Sequence, residues 1–140
     1  MSSTALRYLI AVAIAFHGIG HMQGVVVGLG LAKTERWTGR SWLLTGLLGE
    51  NVTRILGITL WLVCFMAFIL VALALLGWGV PHDWWRPLAV PFAIVSLVTL
   101  FLYWNSLAMF FNKAGALGMN LAILIGLLLT NWPSEAQIGY

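Results

Sequence analysis

Charged side chains are scarce in this sequence, which has seven Lys and Arg residues and four Asp and Glu residues among its 140. Soluble domains carry charge at about a quarter of their positions, whereas the fraction here is 8%. Four stretches have no charge at all: 8–32, 55–82, 87–112 and 114–134. Each is as long as a helix needs to cross a bilayer, about 20 residues. This scarcity argues against a water-soluble bundle, whose helices need a polar stripe, and predicts an all-α bundle of four transmembrane helices.

Cysteines and basic clusters are also few. Cys64 is the one cysteine, so the sequence excludes a disulfide within the chain and a zinc site built on cysteines. No stretch combines a basic patch with aromatic stacking platforms, so a nucleic acid is not predicted as a partner. No arrangement of nucleophile, base and acid indicates a hydrolase. The sequence leaves open whether the protein is an enzyme, and the partner it predicts is the lipid bilayer.

The charge-free stretches are interpreted as the spans of a single domain covering residues 1–140. We place these spans at about 7–32, 51–78, 88–111 and 116–132. The connection at 33–50 mixes Trp37, Trp42 and several leucines with basic residues, which is typical of a segment in the membrane interface. It predicts either a short interfacial helix starting at Ser41 or a plain loop with aromatic anchors.

Basic residues near the ends of the spans predict the orientation. Arg7 and Arg86 lie on the side of both termini, and the other side has Lys33, Arg36, Arg40, Arg54 and Lys113. Because cytoplasmic loops carry the excess of Lys and Arg, we expect a multi-pass protein of the cell membrane with the 33–50 segment in the cytoplasm and both termini outside. Glu50 and Arg54 have the spacing of a helical ion pair and are expected to form one at the interface.

The first span contains His17 and His21, four residues apart, with glycines at the same spacing. These glycines are Gly20, Gly24 and Gly28. On a helix the histidines and glycines share one face, and the rest of the surface is Val, Ile, Leu and Ala. Small residues let helices approach closely in lipid, so we expect the glycines to pack against another helix. An imidazole at mid-depth is costly unless it turns inward to a partner.

The third span carries a second polar stripe at helical spacing. Its members are Ser96, Thr99, Tyr103 and Ser106. Ser96, Thr99 and Tyr103 lie at the depth of the two histidines, so we expect the two faces to meet, with a Tyr103 or Thr99 hydroxyl bonding an imidazole. The fourth span is almost entirely Leu, Ile, Ala and Gly and is interpreted as scaffold. His82, in the turn at 79–87, is interpreted as a solvated loop residue.

Several kinds of chemistry are compatible with a histidine pair in the membrane. His17 and His21 have the spacing of helical metal ligands, but no third ligand is near in sequence, and two make a poor zinc site. Two histidines on one helical turn cannot ligate both faces of a haem. A proton or redox role suits the pair better, because histidine titrates near neutral pH. Quinones also bind in apolar clefts that offer a His or Tyr to a carbonyl oxygen. We therefore favour a quinone over a metal or a haem; the alternative is a pair that only holds helices together.

The run LRYLIAVAIAFHGIGHMQG, with Phe-His-Gly at 16–18, resembles the opening helix of the DoxX-like membrane proteins. The order of elements is similar too: one span, a longer interfacial connection, then three closely linked spans, the first of them containing Leu56 and Gly57. Arg54 stands where family members often carry a glutamate. The resemblance implies a four-helix membrane bundle that in some members is associated with respiratory or thiol redox systems.

Three functions follow as hypotheses. The first is a small redox-associated integral membrane protein in contact with a quinone, in which His17, His21, Ser96, Thr99 and Tyr103 form a polar intramembrane site. The second is a non-catalytic membrane subunit or a homo-oligomeric module whose glycine face binds a partner helix. The third is a small transporter, which four spans without an intramembrane acid do not favour.

Overall fold

The computed structural model describes residues 2–32, 38–106 and 110–140, and in these ranges the chain is helical without strands. The long helices are α1 (Ser3–Gly28), α3 (Glu50–Leu76), α4 (Trp85–Leu102) and α5 (Phe110–Leu124), and the short ones are α2 (Leu44–Leu48) and α6 (Glu135–Ile138). Single 3₁₀ turns cover His82–Trp84 and Trp104–Ser106, and a π-helical turn, Ile125–Leu129, extends α5. The prediction of four helices that are long and apolar enough to cross a membrane is confirmed.

Local chemistry determines where the first two long helices begin and end. Ser2 caps α1, because its hydroxyl accepts the N–H of Ala5 at 3.2 Å. α3 starts directly after Gly49 and ends directly before Gly77, which has a left-handed backbone with φ of 67°. This conformation suits glycine, and it lets the Gly77 N–H bond the Ala74 carbonyl at 3.0 Å. The ends of both helices lie within four residues of the ends of the predicted spans, 7–32 and 51–78.

The boundary between the third and fourth spans differs from the prediction. α4 ends at Leu102, well before residue 111, and α5 begins at Phe110 rather than at 116. The sequence at 112–115, interpreted as a turn, is therefore helical. Residues 33–37 and 107–109, which belong to the predicted connection and the predicted third span, lie outside the described residues.

The early end of α4 is stabilised from a distant part of the chain. Trp42 Nε1 donates to the Phe101 carbonyl at 2.7 Å, and Ser41 Oγ donates to the Leu102 carbonyl at 2.6 Å. These bonds satisfy two carbonyls that have no partner within a helix that stops here. Ser41 Oγ also accepts the N–H of Leu44 at 3.1 Å at the start of α2. A short helix therefore follows Ser41, three residues later than predicted.

At the start of α3, Glu50 pairs with Arg40 and not with Arg54, which was the predicted partner. The Arg40 guanidinium forms this ion pair. The backbone of Arg40 is fixed nearby, because Ser106 Oγ donates to its carbonyl at 2.6 Å. The predicted pair of Glu50 with Arg54 is corrected to a pair with Arg40 among the residues that the structure describes.

The four long helices pack as a row of neighbours, α1 on α3, α3 on α4 and α4 on α5. The seam between α1 and α3 is close because glycines replace side chains there. A Cβ on Gly24 would lie 2.5 Å from the Trp61 ring, and one on Gly28 would lie 2.4 Å from Ile58 Cγ1. In the described part of the chain, α1 and α5 share no seam of this kind. A cleft therefore separates the two helices at the ends of the row.

Apolar side chains occupy both the interior and the outer surface of the bundle. The core joins Cys64, Phe68 and Val71 of α3 to small residues such as Ala93 of α4. Outside, large hydrophobic side chains are exposed along the long helices, with Phe16 as an example at 68%. The bundle therefore has an apolar exterior as well as an apolar core.

Candidate functional site

A chain of hydrogen bonds joins three helices midway along the bundle. Asn120 of α5 places Oδ1 at 3.1 Å from His17 Nε2 and Nδ2 at 2.8 Å from Ser96 Oγ. The same Ser96 Oγ, on α4, lies 3.2 Å from His21 Nε2. These four residues are named the polar quartet. The polar faces of the first and third spans therefore meet, and they do so through His21 and Ser96.

The donors and acceptors of the polar quartet determine the direction of the bonds that Asn120 makes. Asn120 Nδ2 also donates to the Ala116 carbonyl at 2.9 Å, which can only accept, so the orientation of the amide is assigned. Asn120 Oδ1 must then accept, and His17 Nε2 carries the proton. Ser96 Oγ accepts from Asn120 and also bonds His21 Nε2, in a direction that the tautomer of the His21 ring sets. With neutral rings, an acceptor nitrogen is left over on His17, and an N–H is left over on His21 in the tautomer whose Nε2 accepts from Ser96.

Aromatic rings of α3 form the wall behind the two imidazoles. The centroid of Phe68 lies 4.6 Å from that of His17 and 5.6 Å from that of His21, and the Trp61 ring lies 5.4 Å from His21. His21 is 4% exposed and Asn120 is fully buried, while His17 is half-buried. Buried polar groups are costly unless they are hydrogen-bonded, so the quartet's bonds keep these groups in the apolar interior.

A cavity of about 390 Å³ lies beside the polar quartet in the cleft between α1 and α5. Small-molecule sites usually have volumes of roughly 300–1,000 Å³. His17, His21 and Gly20 line the cavity, and a Cβ on Gly20 would meet no atom within 4 Å. At one end, Asn112 Nδ2 donates to Gln23 Oε1 at 3.3 Å. The cavity therefore combines an apolar wall with a few polar groups, as ligand sites do.

Tyr103 and Thr99 do not bond the histidines, so the expectation that one of their hydroxyls would do so is wrong. Tyr103 donates to the Thr53 carbonyl at 2.6 Å, and Thr99 donates to the Val95 carbonyl at 2.8 Å. Tyr103 follows the last residue of α4, where Gly57 leaves room for its ring: a Cβ there would lie 2.8 Å from it. Thr99 bonds the carbonyl four residues back, as helical threonines do.

The three glycines predicted to pack against a helix have two different environments. Gly24 and Gly28 lie in the seam between α1 and α3, whereas Gly20 faces the cavity. Gly18, which the sequence did not single out, belongs to the seam as well, since a Cβ on it would lie 3.0 Å from Phe68 Cβ. The glycine face of α1 is therefore mostly occupied by α3 of the same chain.

Asn120 is the central residue that the sequence analysis missed, because the fourth span was interpreted as scaffold. The signal was present, since Asn120 is the one polar side chain between residues 114 and 129. A single amide in an apolar run must be hydrogen-bonded if it is buried. Its partners depend on which face of α5 meets α4, and the sequence does not give that.

A second polar cluster lies at the end of the bundle that holds both termini. Glu135 of α6 accepts from Arg86 Nε at 3.0 Å and pairs with His82 Nε2 at 2.7 Å. His82 Nδ1 lies 3.2 Å from the Ala74 carbonyl, and its ring stacks on Tyr140 with centroids 3.4 Å apart. His82 is therefore a packed residue, and its interpretation as a solvated loop histidine is wrong.

Glu135 is the residue of this cluster whose pKa is shifted. Burial would raise the pKa of its carboxyl, but the hydrogen bonds and charges of His82 and Arg86 outweigh burial and lower the pKa below its ordinary value. Tyr140, next to it, also lies under the guanidinium of Arg7, 4.8 Å from the ring centroid. The cluster therefore ties the C-terminal helix α6 to the start of α1 and to α4.

The described ranges contain no group of three or more His, Cys, Asp or Glu side chains that could hold a metal ion. The cavity beside the polar quartet offers a ligand hydrogen-bonding and aromatic side chains. No family model, no curated protein and no solved structure matches this chain.

Proposed function

We propose that this chain is a four-span integral protein of the cell membrane. Four helices have the length and the apolar composition for it, and their outward faces expose large hydrophobic side chains such as Leu129, at 78%. Large apolar patches drive association in water, whereas in a bilayer they face acyl chains. The excess of basic residues puts the 33–50 segment in the cytoplasm and both termini outside.

In this setting the cleft between α1 and α5 binds a quinone that enters from the bilayer. The observation that carries this proposal is the polar quartet beside a cavity in the cleft. A quinone is a flat apolar ring with two carbonyl oxygens, and His21, in the tautomer whose Nε2 accepts from Ser96, has a spare N–H that is a donor for one of them. The reduced ring has hydroxyl groups, for which the spare nitrogen of His17 is an acceptor. Both redox forms therefore find a partner.

The role that fits such a site is participation in a membrane redox system. The first span and the order of elements resemble those of DoxX-like proteins, and this resemblance supports the redox role, because some members are associated with respiratory or thiol redox systems. Intramembrane ionisable groups are costly and tend to serve a function, which favours a ligand role for the histidine pair over packing alone. The proposal concerns binding, and the electron donor to the quinone is a separate component.

The test is a titration of the purified protein in detergent with a short-tailed benzoquinone, followed by quenching of tryptophan fluorescence. Trp61 lines the cavity, so a bound ring would lie close enough to quench it. We expect saturable quenching of the wild-type protein. In His17→Phe the Kd should rise by about tenfold or more, the change that corresponds to ~1.4 kcal/mol of lost hydrogen bonding.

The matched control is Ile19→Phe, which puts the same ring on an exposed position of α1. Its Kd should equal that of the wild-type protein. Equal affinity in His17→Phe and Ile19→Phe, or the absence of saturable quenching in the wild-type protein, would contradict a quinone site at the histidines.

A partner helix is the competing occupant of the cleft. The observation that favours it is the open space at Gly20, where an added Cβ would meet no atom within 4 Å. In that case Gly20→Cys would form a disulfide-linked dimer in native membranes, and added quinone would not reduce the yield. The natural Cys64 is buried and does not interfere.

A further inference from the structure

A second cavity, of about 210 Å³, lies in the same cleft on the side nearer the chain termini. All of its lining side chains are apolar, from Leu9 and Ile10 on α1 to Ala122 and Leu127 at the end of α5. Trp132 lines it at the far end. Among its lining side chains, only the indoles of Trp85 and Trp132 carry a hydrogen-bonding group, so the cavity suits a hydrocarbon chain.

The two cavities adjoin each other. Ala13 and Met119 line both of them, so the wall of the first becomes the wall of the second. On α1 the lining residues of the two cavities, together called the slot, run from Gly24 back to Leu9, and a helical rise of 1.5 Å per residue makes this distance roughly 22 Å. One end of the slot is polar and the other is apolar, which is the polarity of a lipid-like molecule with a head and a tail.

We propose that the occupant of this slot is a quinone with a long apolar tail, whose ring lies at His17 and His21 and whose tail passes Ala13 and Met119 into the second cavity. This inference rests on the proposed quinone site and adds a requirement for the tail. It also gives the bound molecule a direction, with the ring at mid-depth and the tail pointing to the side of the termini.

The chemistry of the tail decides how the inference has to be tested. A tail that leaves lipid for an apolar cavity gains little from the hydrophobic effect, since acyl chains are as apolar as the protein wall. The gain must come from contacts in the cavity, which are individually weak and add up along the chain. Tail length also changes partition into detergent, so affinities must be compared between protein variants for the same probe.

The experiment uses two probes, the same benzoquinone ring with either a methyl group or a decyl tail, titrated into the full chain in one detergent. Ala122→Phe fills the apolar cavity from an exposed position on α5, and Leu9→Trp fills it from α1. In both variants we expect the Kd of the decyl probe to rise by about tenfold relative to the wild-type protein. The Kd of the methyl probe should stay unchanged.

Leu121→Phe is the control, because its side chain is exposed on α5 and lines neither cavity. It should leave both probes unaffected, and a circular dichroism melt checks that all variants fold. If the methyl probe binds and both filling variants leave the decyl affinity unchanged, the tail position is overturned while the quinone site stands. If neither probe binds the wild-type protein, the quinone site fails and the tail position fails with it.

Discussion

An asparagine side chain has one acceptor oxygen and two N–H groups, and Asn120 uses all three inside the bundle. The oxygen bonds His17, one N–H bonds Ser96 and the other bonds the Ala116 carbonyl. No other residue type of this size offers a donor and an acceptor at the ends of one flat group. The residue therefore links α1 and α4 to α5.

Asn120→Leu tests this link, because leucine keeps the size and removes the polar groups. The change would leave His17 Nε2 without its acceptor and Ser96 Oγ without its donor. We expect the free energy of unfolding to fall by about 1–2 kcal/mol, the range of interhelical hydrogen bonds in membranes. Reversible unfolding in mixed micelles measures it. Asn105→Leu, the same change at an exposed residue, should be close to neutral, and equal stabilities for the two variants would contradict the role of Asn120.

The residue scale also shows what the sequence could predict. The histidines were found because two imidazoles in an apolar run stand out by composition and spacing. The sequence does not identify their hydrogen-bond partners, because a bond to Ser96 rather than to Tyr103 depends on how α4 is rotated about its axis. A helical pattern gives the relative positions of residues on one helix and leaves that rotation to tertiary packing.

At the scale of elements, glycines make the seam between α1 and α3 a close one. Without a hydrophobic force between helices in lipid, association depends on close packing, and Gly18, Gly24 and Gly28 allow it. The bulky side chains that fill this space come from α3. α1 therefore depends on glycine at these positions for its place in the row.

Gly24→Ala and Gly20→Ala form a matched pair on one helix. The new Cβ at Gly24 would lie 2.5 Å from the ring of the buried Trp61, which has little freedom to move. We expect the free energy of unfolding to fall by about 1–3 kcal/mol, as overpacking does elsewhere. At Gly20 the methyl group meets open space, and stability should stay the same or rise slightly. A stable Gly24→Ala would show that the seam is looser than described.

The ends of the elements were the least predictable part of the fold. The spans of α1 and α3 follow from hydropathy and from glycines at or next to the helix ends, and both are local signals. The end of α4 follows from bonds that Ser41 and Trp42 donate to its last carbonyls, about sixty residues away in sequence. Capping over such a distance leaves no trace in the local pattern, so the predicted helix ran on to residue 111.

At the scale of the whole molecule, the two chain ends are joined by the cluster around Glu135. Ser134 and Gln137 form a capping box that shapes α6, and this turn holds the Glu135 carboxylate toward His82 and Arg86. Tyr140 then lies between the His82 ring and the Arg7 guanidinium. The arrangement closes the end of the bundle beside the apolar cavity, which Trp132 and Pro133 line.

Docking of α6 should therefore depend on pH through Glu135. Its pKa is lowered from an ordinary value of 4.5, so the ionised carboxyl contributes stability that is fully present above pH 4.5 and is lost as the pH falls through the lower, folded value. Protection of the amide hydrogens of residues 135–140 against exchange, corrected for the intrinsic rate, should decline in that acidic range. Glu135→Gln should show weaker protection already at neutral pH, with little further decline on acidification. Glu50→Gln removes a carboxylate at the opposite end of the bundle and should keep the wild-type profile.

Because the cluster adjoins the apolar cavity and is separate from the polar quartet, Glu135→Gln should leave the affinity for a methyl-substituted quinone unchanged. A loss of that affinity would mean that the two ends of the cleft are coupled.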